Sequence, residues 1–166
     1  MESTRRQGTG LRMLKSENSI EWDDEFKSFL KEWFSGLMKG VQMLNDETWP
    51  NVLEMTGRAC AHVHSGKTFW EIWESTRNVD TFLVKINEFM GEKIYKRLDD
   101  NTISVSYSNC KCPLVMYGLV DSPLICNCSP NWLIENFEAI LGHPVTVTTE
   151  HTILRGATSC YFTISY

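Results

Sequence analysis

The chain has 166 residues, of which 42% are hydrophobic and 22% charged, and its formal net charge is -5 at pH 7. This length and composition predict one globular domain with a sizeable core. The net negative charge argues against a nucleic-acid-binding surface, because contacts with phosphates require a stripe of basic residues. No apolar run reaches the roughly 18 residues of a membrane helix, and the N-terminus lacks the apolar segment of a signal peptide. We therefore expect a cytoplasmic protein that binds neither nucleic acid nor membrane.

The chain divides into a polar tail and a single predicted domain. Residues 1–20 contain glycine and several arginines and predict a disordered tail. Residues 21–166 contain no internal repeat or linker. In the first half of this domain, apolar residues recur at spacings of three and four, which predicts amphipathic helices. These helices are expected to begin at Asp23-Asp24-Glu25, after the cap Asn45-Asp46, at Thr68 and near Asp80.

The second half of the domain predicts strands, because its apolar residues recur at a spacing of two. One further helix is expected between the strand pairs, with Ser129 as its cap, Pro130 in its first turn and Gly142 at its end. This order predicts an α+β fold, in which an antiparallel sheet of about four strands packs against helices. The predicted strands cover residues 94–98, 102–107, 145–151 and 159–165.

Four of the six cysteines form two Cys-x-Cys pairs, Cys110/Cys112 and Cys126/Cys128. In extended backbone the two side chains of such a pair alternate, so a bend is needed before both can face one ligand. A proline close behind each pair supplies that bend. In the reducing cytoplasm such clusters favour a metal site, above all zinc, or reactive thiols over disulfides. The alternative is buried thiols that pack as small hydrophobic groups.

Other candidate site residues lie outside these pairs. Cys60 and His64 are four apart on a predicted helix, so they can face one mixed Cys/His site, or they can be a core cysteine beside a surface histidine. Cys160 lies in the last strand and fits either function or packing. Glu150 and His151 can act as an acid/base pair or as ligands, although neighbouring strand residues point to opposite faces. The tryptophan-rich helices favour core over a ligand pocket.

Three C-terminal motifs resemble a known type of domain. They are C-N-C-S-P-N-W at 126–132, L-G-H-P-V at 141–145 and R-G-A-T-S-C-Y-F at 155–162. Together they resemble the 4-vinyl reductase type of small-molecule-binding domain over about residues 94–166. The step Cys112-Pro113 is similar to the related L-2-amino-thiazoline-4-carboxylate hydrolase family. The resemblance implies a fold akin to transport-particle subunits and to the sensor domains of aromatic-responsive bacterial regulators.

In those sensors, the resemblance implies, cysteines and a glutamate hold zinc beside a pocket for an aromatic effector. Cys126 matches the first cysteine of that pattern and Cys160 the last. The middle cysteine falls near Thr152, where this chain has none, although Glu150 and His151 lie close by. The extra cysteines of this chain can build a different thiol cluster.

Three functions are therefore expected, in decreasing order. The first is a binding or sensor domain with a zinc site beside an apolar pocket for a small apolar or aromatic ligand. The second is a hydrolase of the aminothiazoline type, which uses a thiolate or a metal-bound water. The third is a homodimeric interaction subunit without catalysis. Metal ligands are expected among Cys60, Cys110, Cys112, Cys126, Cys128 and Cys160, and ligand-binding residues among His64, Trp132, Glu150 and His151.

Overall fold

The computed structural model describes residues 23–166. The predicted tail, residues 1–20, lies outside this range. The first half of the described chain is helical, as the apolar spacing predicts. Its helices are α1 (Asp24–Gln42), α2 (Trp49–His64), α3 (Gly66–Thr76) and α4 (Val79–Met90).

A polar side chain caps the first helix but not the second. Asp23 Oδ1 accepts the backbone N–H of Phe26 at 2.7 Å and caps α1, which confirms the predicted start. The predicted cap of α2 at Asn45-Asp46 is wrong. The Asn45 side chain instead accepts the N–H of Thr48 at 2.9 Å within a turn, and α2 begins only at Trp49. A residue type that often caps helices can therefore close a turn that precedes the helix instead.

A four-stranded antiparallel sheet follows, in the order β1-β2-β4-β3. This confirms the α+β fold class with a helical N-terminal half. The central strands β2 and β4 are paired so that Tyr107 lies opposite Cys160 at one end of the sheet. The strands are β1 (Tyr95–Asp99), β2 (Thr102–Tyr107), β3 (Thr146–His151) and β4 (Cys160–Ser165).

The segment between the two strand pairs contains two short helical turns and one long helix. The turns are α5 (Pro113–Met116) and a 3₁₀ turn (Pro123–Asn127), and the long helix is α6 (Cys128–Leu141). Ser129 does not cap α6, contrary to expectation. Because the 3₁₀ turn runs directly into α6, Asn127 occupies the cap position with helical angles (φ -73, ψ -11) and makes no side-chain cap bond.

An aromatic cluster joins the helices to the sheet. Phe137 of α6 is fully buried, and its ring centroid lies 6.0 Å from Phe69 of α3, 6.2 Å from Phe82 of α4 and 5.9 Å from Tyr95 of β1. Most of these ring pairs are edge-to-face or tilted, arrangements that aromatic quadrupoles favour. The cluster therefore fixes α3, α4 and α6 against the same face of the sheet.

Helix α1 packs on the rest of the fold only near its C-terminal end. Met38 and Val41 are buried beside Leu53 of α2. Further towards the N-terminus, Phe29 is 58% exposed and Trp33 is 55% exposed. The sequence favoured a core position for the aromatic residues of this helix. In the structure, most of its aromatic face is instead exposed.

Candidate cysteine site

One cavity has all six cysteines in its walls. It lies between α2, α6 and the end of the sheet where β2 finishes and β4 begins, and it encloses about 120 Å³. Most of the remaining wall is apolar and includes Ile125, Leu133 and Phe162. Each of the six cysteines is a free thiol. Residues that are far apart in sequence thus meet at one place.

The first Cys-x-Cys pair enters the cavity where the chain turns after β2. Cys112 has extended backbone (φ -68, ψ 119) and directly precedes Pro113, the first residue of α5. Extended backbone is what a following proline favours. Burial raises the pKa of Cys112, and hydrogen bonds from the backbone N–H groups of Val115 and Leu114 to its thiol partly lower it. The turn therefore places the Cys112 sulfur at the cavity wall.

The second pair lies at the junction of the 3₁₀ turn and α6. Cys126 is buried within the turn, and Cys128 is the first residue of α6. Arg155 Nη2 donates a hydrogen bond of 2.7 Å to Asn127 Oδ1, between the two cysteines. This bond ties the junction to the loop between β3 and β4, so both sulfurs are held at the cavity wall.

Cys60 reaches the cavity because α2 approaches α6 closely at Gly57. An ideal Cβ on Gly57 would lie 2.3 Å from the backbone oxygen of Cys128 and 2.9 Å from Cβ of Asn131. Real Cβ atoms do not come this close to a backbone atom, so only glycine fits here. Cys60, three residues further along α2, is thereby held next to the first turn of α6.

The last wall combines a thiol with an unpaired hydroxyl. Cys160 is buried at the start of β4, and its Sγ accepts the backbone N–H of Ile153 at 3.4 Å. Thr152 is 1% exposed, and its Oγ1 has no hydrogen-bond partner among the described residues. A buried polar atom without a partner is rare and needs an explanation.

The other predicted ligand-binding residues divide into two groups. Trp132 lines the cavity, whereas His64, Glu150 and His151 are exposed and do not belong to its wall. A β-bulge between β3 and β4 surrounds Glu150. His151 lies 3.1 Å from Ser159, measured from Nε2 to Oγ, on the surface of the sheet. The structure therefore gathers the cysteines but not these titratable residues.

Several wall residues were not predicted as site residues, among them Gly57, Tyr107, Lys111 and Thr152. A glycine inside a strong helical pattern is a signal of close packing, so Gly57 could have been found. The only sequence signal at Thr152 was its position near the place where the 4-vinyl reductase type of domain has its middle cysteine. Lys111 stands between Cys110 and Cys112 and so carried a local signal. Tyr107 carried none, because its place depends on how β2 pairs in the sheet.

The environment of the thiols favours their protonated form. Burial raises the pKa of Cys60 and Cys160, and it raises the pKa of Cys128 to about 12, with further repulsion from Cys112, Cys60 and Cys126. A catalytic cysteine needs a lowered pKa, which cationic neighbours or a helix N-terminus supply. Burial therefore disfavours the thiolate form of Cys60, Cys128 and Cys160, while a metal can still displace these protons.

Slow alkylation of Cys128 is the expected result at neutral pH. A pKa of about 12, against an ordinary 9.0, leaves about a thousandfold less thiolate at pH 7. The rate for iodoacetamide should therefore rise steadily with pH up to about 11 in protein stripped of metal by a chelator. Peptide mass spectrometry measures it, with urea-unfolded protein as the control. Equal rates for the native and unfolded protein at pH 7 contradict the buried site.

The thiols are not arranged around a single point. Within residues 23–166, no group of three or more histidine, cysteine, aspartate or glutamate side chains is arranged to hold a metal ion. Thiolates on one tetrahedral zinc ion, with Zn–S bonds of about 2.3 Å, lie about 4 Å apart. A mononuclear site would therefore require the cavity walls to move together.

No family model and no curated protein matches this sequence. The resemblance to the 4-vinyl reductase type of domain thus stays a prediction. None of the helices in the described part of the chain combines the length and apolarity needed to cross a membrane. The class of protein that fold and cavity define is an α+β domain with a thiol-lined internal site.

Proposed function

We propose that this chain is a cytoplasmic small-molecule-binding or sensor domain whose cavity binds a thiophilic metal, zinc first of all. The observation that carries the proposal is that all six cysteines line one cavity. Cysteines that served only for packing would have no reason to share a wall. Thiolate sulfur selects soft metals such as zinc, copper(I) and iron in clusters. The cytoplasm is proposed because it keeps such thiols reduced.

The same cavity supports an apolar or aromatic ligand beside the metal. Its volume of about 120 Å³ exceeds that of one ion, and an engineered cavity of about 150 Å³ takes up benzene. The indole ring of Trp132 and the side chains of Leu133 and Phe162 form the apolar wall. Because the cavity is smaller than that one, the expected partner of the metal is an apolar group smaller than a benzene ring, or the edge of a larger ligand.

The test is elemental analysis of protein purified without added metal, and again after incubation with zinc and desalting. About one metal per chain is expected, together with thiols that react faster after a chelator is added than before. The metal should also raise the unfolding midpoint, because it binds the folded chain.

Matched variants make this test specific. Cys112→Ser should lose the metal, whereas Met116→Ser should keep it, because Met116 is 56% exposed on the short helix that follows Cys112. The proposal is contradicted if the wild type holds no metal even after incubation with zinc and all six of its thiols react freely. Equal loss in the two variants would show that the binding is not at this cavity.

The two other functions stay predictions. A hydrolase that uses a cysteine nucleophile is disfavoured by the raised pKa of the buried thiols, and one that uses a metal-bound water needs the metal first. A dimeric interaction subunit is compatible with the exposed apolar side chains of α1, such as Phe29 and Trp33. Sedimentation analysis of the purified chain measures its oligomeric state.

A further inference from the structure

Helix α1 carries an exposed row of residues that repeats like one helix of a coiled coil. From Phe26 to the C-cap residue Met43, these residues follow one another at alternating spacings of three and four. This is the spacing of heptad positions a and d, which keeps such residues on one side of a helix. We call this row the α1 seam, and all of its residues are exposed: Phe26, Phe29, Trp33, Gly36, Gly40 and Met43.

The α1 seam lies on a different side of the helix from the core contact. Met38 and Val41 are buried where α1 packs beside Leu53 of α2. On the seam, by contrast, Trp33 is 55% exposed and Met43 is 87% exposed. A row of large apolar side chains on a protein surface marks an interaction site. A second helix can therefore lie along the seam without displacing any residue of the core.

The sizes of the seam residues fit a second, antiparallel copy of the same helix. The N-terminal half of the seam is aromatic, whereas Gly36 and Gly40 leave a gap in its C-terminal half. An ideal Cβ on Gly36 meets nothing within 4 Å, so the space beside it is open. The midpoint of the seam falls between Trp33 and Gly36. Two antiparallel copies that cross there set Trp33 opposite the partner's Gly36, and two-fold symmetry repeats the contact.

The charged residues beside the seam fit the same antiparallel pairing. Glu32 directly precedes Trp33, and Lys39 stands one heptad later along the same edge of the seam. Within residues 23–166, neither side chain has an ion-pair partner. In an antiparallel pair this edge meets the same edge of the partner, so Glu32 faces the partner's Lys39 in two symmetric ion pairs. In a parallel pair Glu32 would face Leu37 instead.

We propose that the α1 seam binds the α1 seam of a second copy of this chain, with the two helices antiparallel. The inference goes beyond the proposed function, because no seam residue belongs to the wall of the thiol cavity. It gives the homodimer predicted from the sequence a defined contact and orientation. The seam is about 26 Å long at 1.5 Å per residue. A contact limited to one helix per copy predicts a dimer in equilibrium with its monomer.

The test is sedimentation equilibrium of the whole chain at concentrations from about 1 µM to 1 mM, where a monomer–dimer equilibrium is expected. Glu32→Lys opposes like charges in both ion pairs and should raise the dissociation constant about tenfold or more. Lys39→Glu should do the same, whereas the double variant should return to within about threefold of the wild type. Trp33→Ala should raise the dissociation constant about a hundredfold, because a central aromatic residue carries much of the binding energy.

Lys27→Glu is the matched control, because Lys27 is exposed on α1 outside the seam and its reversal should leave the dissociation constant unchanged. Circular dichroism shows that each variant is folded. A dimer that is insensitive to Trp33→Ala and to both seam charge reversals lies elsewhere and overturns the inference. Single reversals that weaken the dimer without recovery in the double variant overturn the antiparallel pairing.

A chain that stays a monomer at every concentration also overturns the inference. If Trp33→Ala then lowers the stability of the monomer, the chain's own N-terminal residues cover the seam. If the variant leaves stability unchanged, the seam is bare. Neither result bears on the thiol cavity, because a monomer that binds zinc leaves the proposed function intact.

Discussion

Replacing Gly57 with alanine is expected to lower the free energy of unfolding by about 2 to 3 kcal/mol, net of the gain in helix propensity. The new Cβ would lie 2.3 Å from the backbone oxygen of Cys128. That oxygen belongs to the first turn of α6, so no flexible side chain can move aside. Helix α2 must shift as a whole. Urea unfolding followed by circular dichroism measures the loss.

Gly40→Ala is the matched control for this variant. Gly40 also lies inside a helix, α1, but an ideal Cβ there has nothing within 4 Å. Alanine at this position should stabilise the protein by about 0.5 to 1 kcal/mol, because it restricts the unfolded chain. A similar change in stability for both variants would show that α2 and α6 do not approach as closely as described.

The Gly57 variant also links packing to the proposed site. Cys60 lies three residues after Gly57 on α2, and its thiol interacts with Cys128 across the contact. A shift of α2 therefore draws Cys60 away from the other sulfurs. We expect the variant to bind metal more weakly than the wild type at a temperature where both are folded. Competition with a chelator measures that difference.

Much of the fold follows from local signals in the sequence. Asp23 caps α1 as predicted, and Gly142 ends α6 with φ 76, a conformation that glycine adopts without strain. The spacing of two in the second half locates the strands to within one or two residues. Local signals fail where two compete: Asn45 closes a turn instead of capping α2, and Ser129 follows a 3₁₀ turn that has already begun the helix.

The site was only half predictable, for a different reason. The Cys-x-Cys pairs stand out because their spacing and prolines are local. That Cys60 and Cys160 line the same cavity depends on the packing of α2 against α6 and on the pairing of β2 with β4, which no short pattern contains. Glu150 lies in a β-bulge, and a bulge changes which face a strand residue presents. Sequence distance says little about such tertiary placement.

Phe137→Ala is expected to lower the free energy of unfolding by about 3 to 5 kcal/mol, the largest effect of any substitution considered. Phe137 is fully buried, and its ring contacts those of Phe69, Phe82 and Tyr95. Alanine leaves a cavity between three helices and the sheet. For a chain of this size the melting temperature should fall by about 10 °C or more. Phe137→Leu, which keeps most of the volume, should lose less than half as much.

This variant should leave the thiol cavity unchanged, because Phe137 is not part of its wall. The aromatic cluster meets the cavity wall at Trp132, whose ring lies 5.8 Å from that of Phe69, and it shares one core with the wall residues Leu133 and Phe162. Well below its melting temperature, Phe137→Ala should thus bind as much metal as the wild type, while Gly57→Ala binds it more weakly. If both variants lose metal in proportion to their lost stability, binding depends on the fold as a whole. A loss confined to Gly57→Ala instead places it at the contact between α2 and α6.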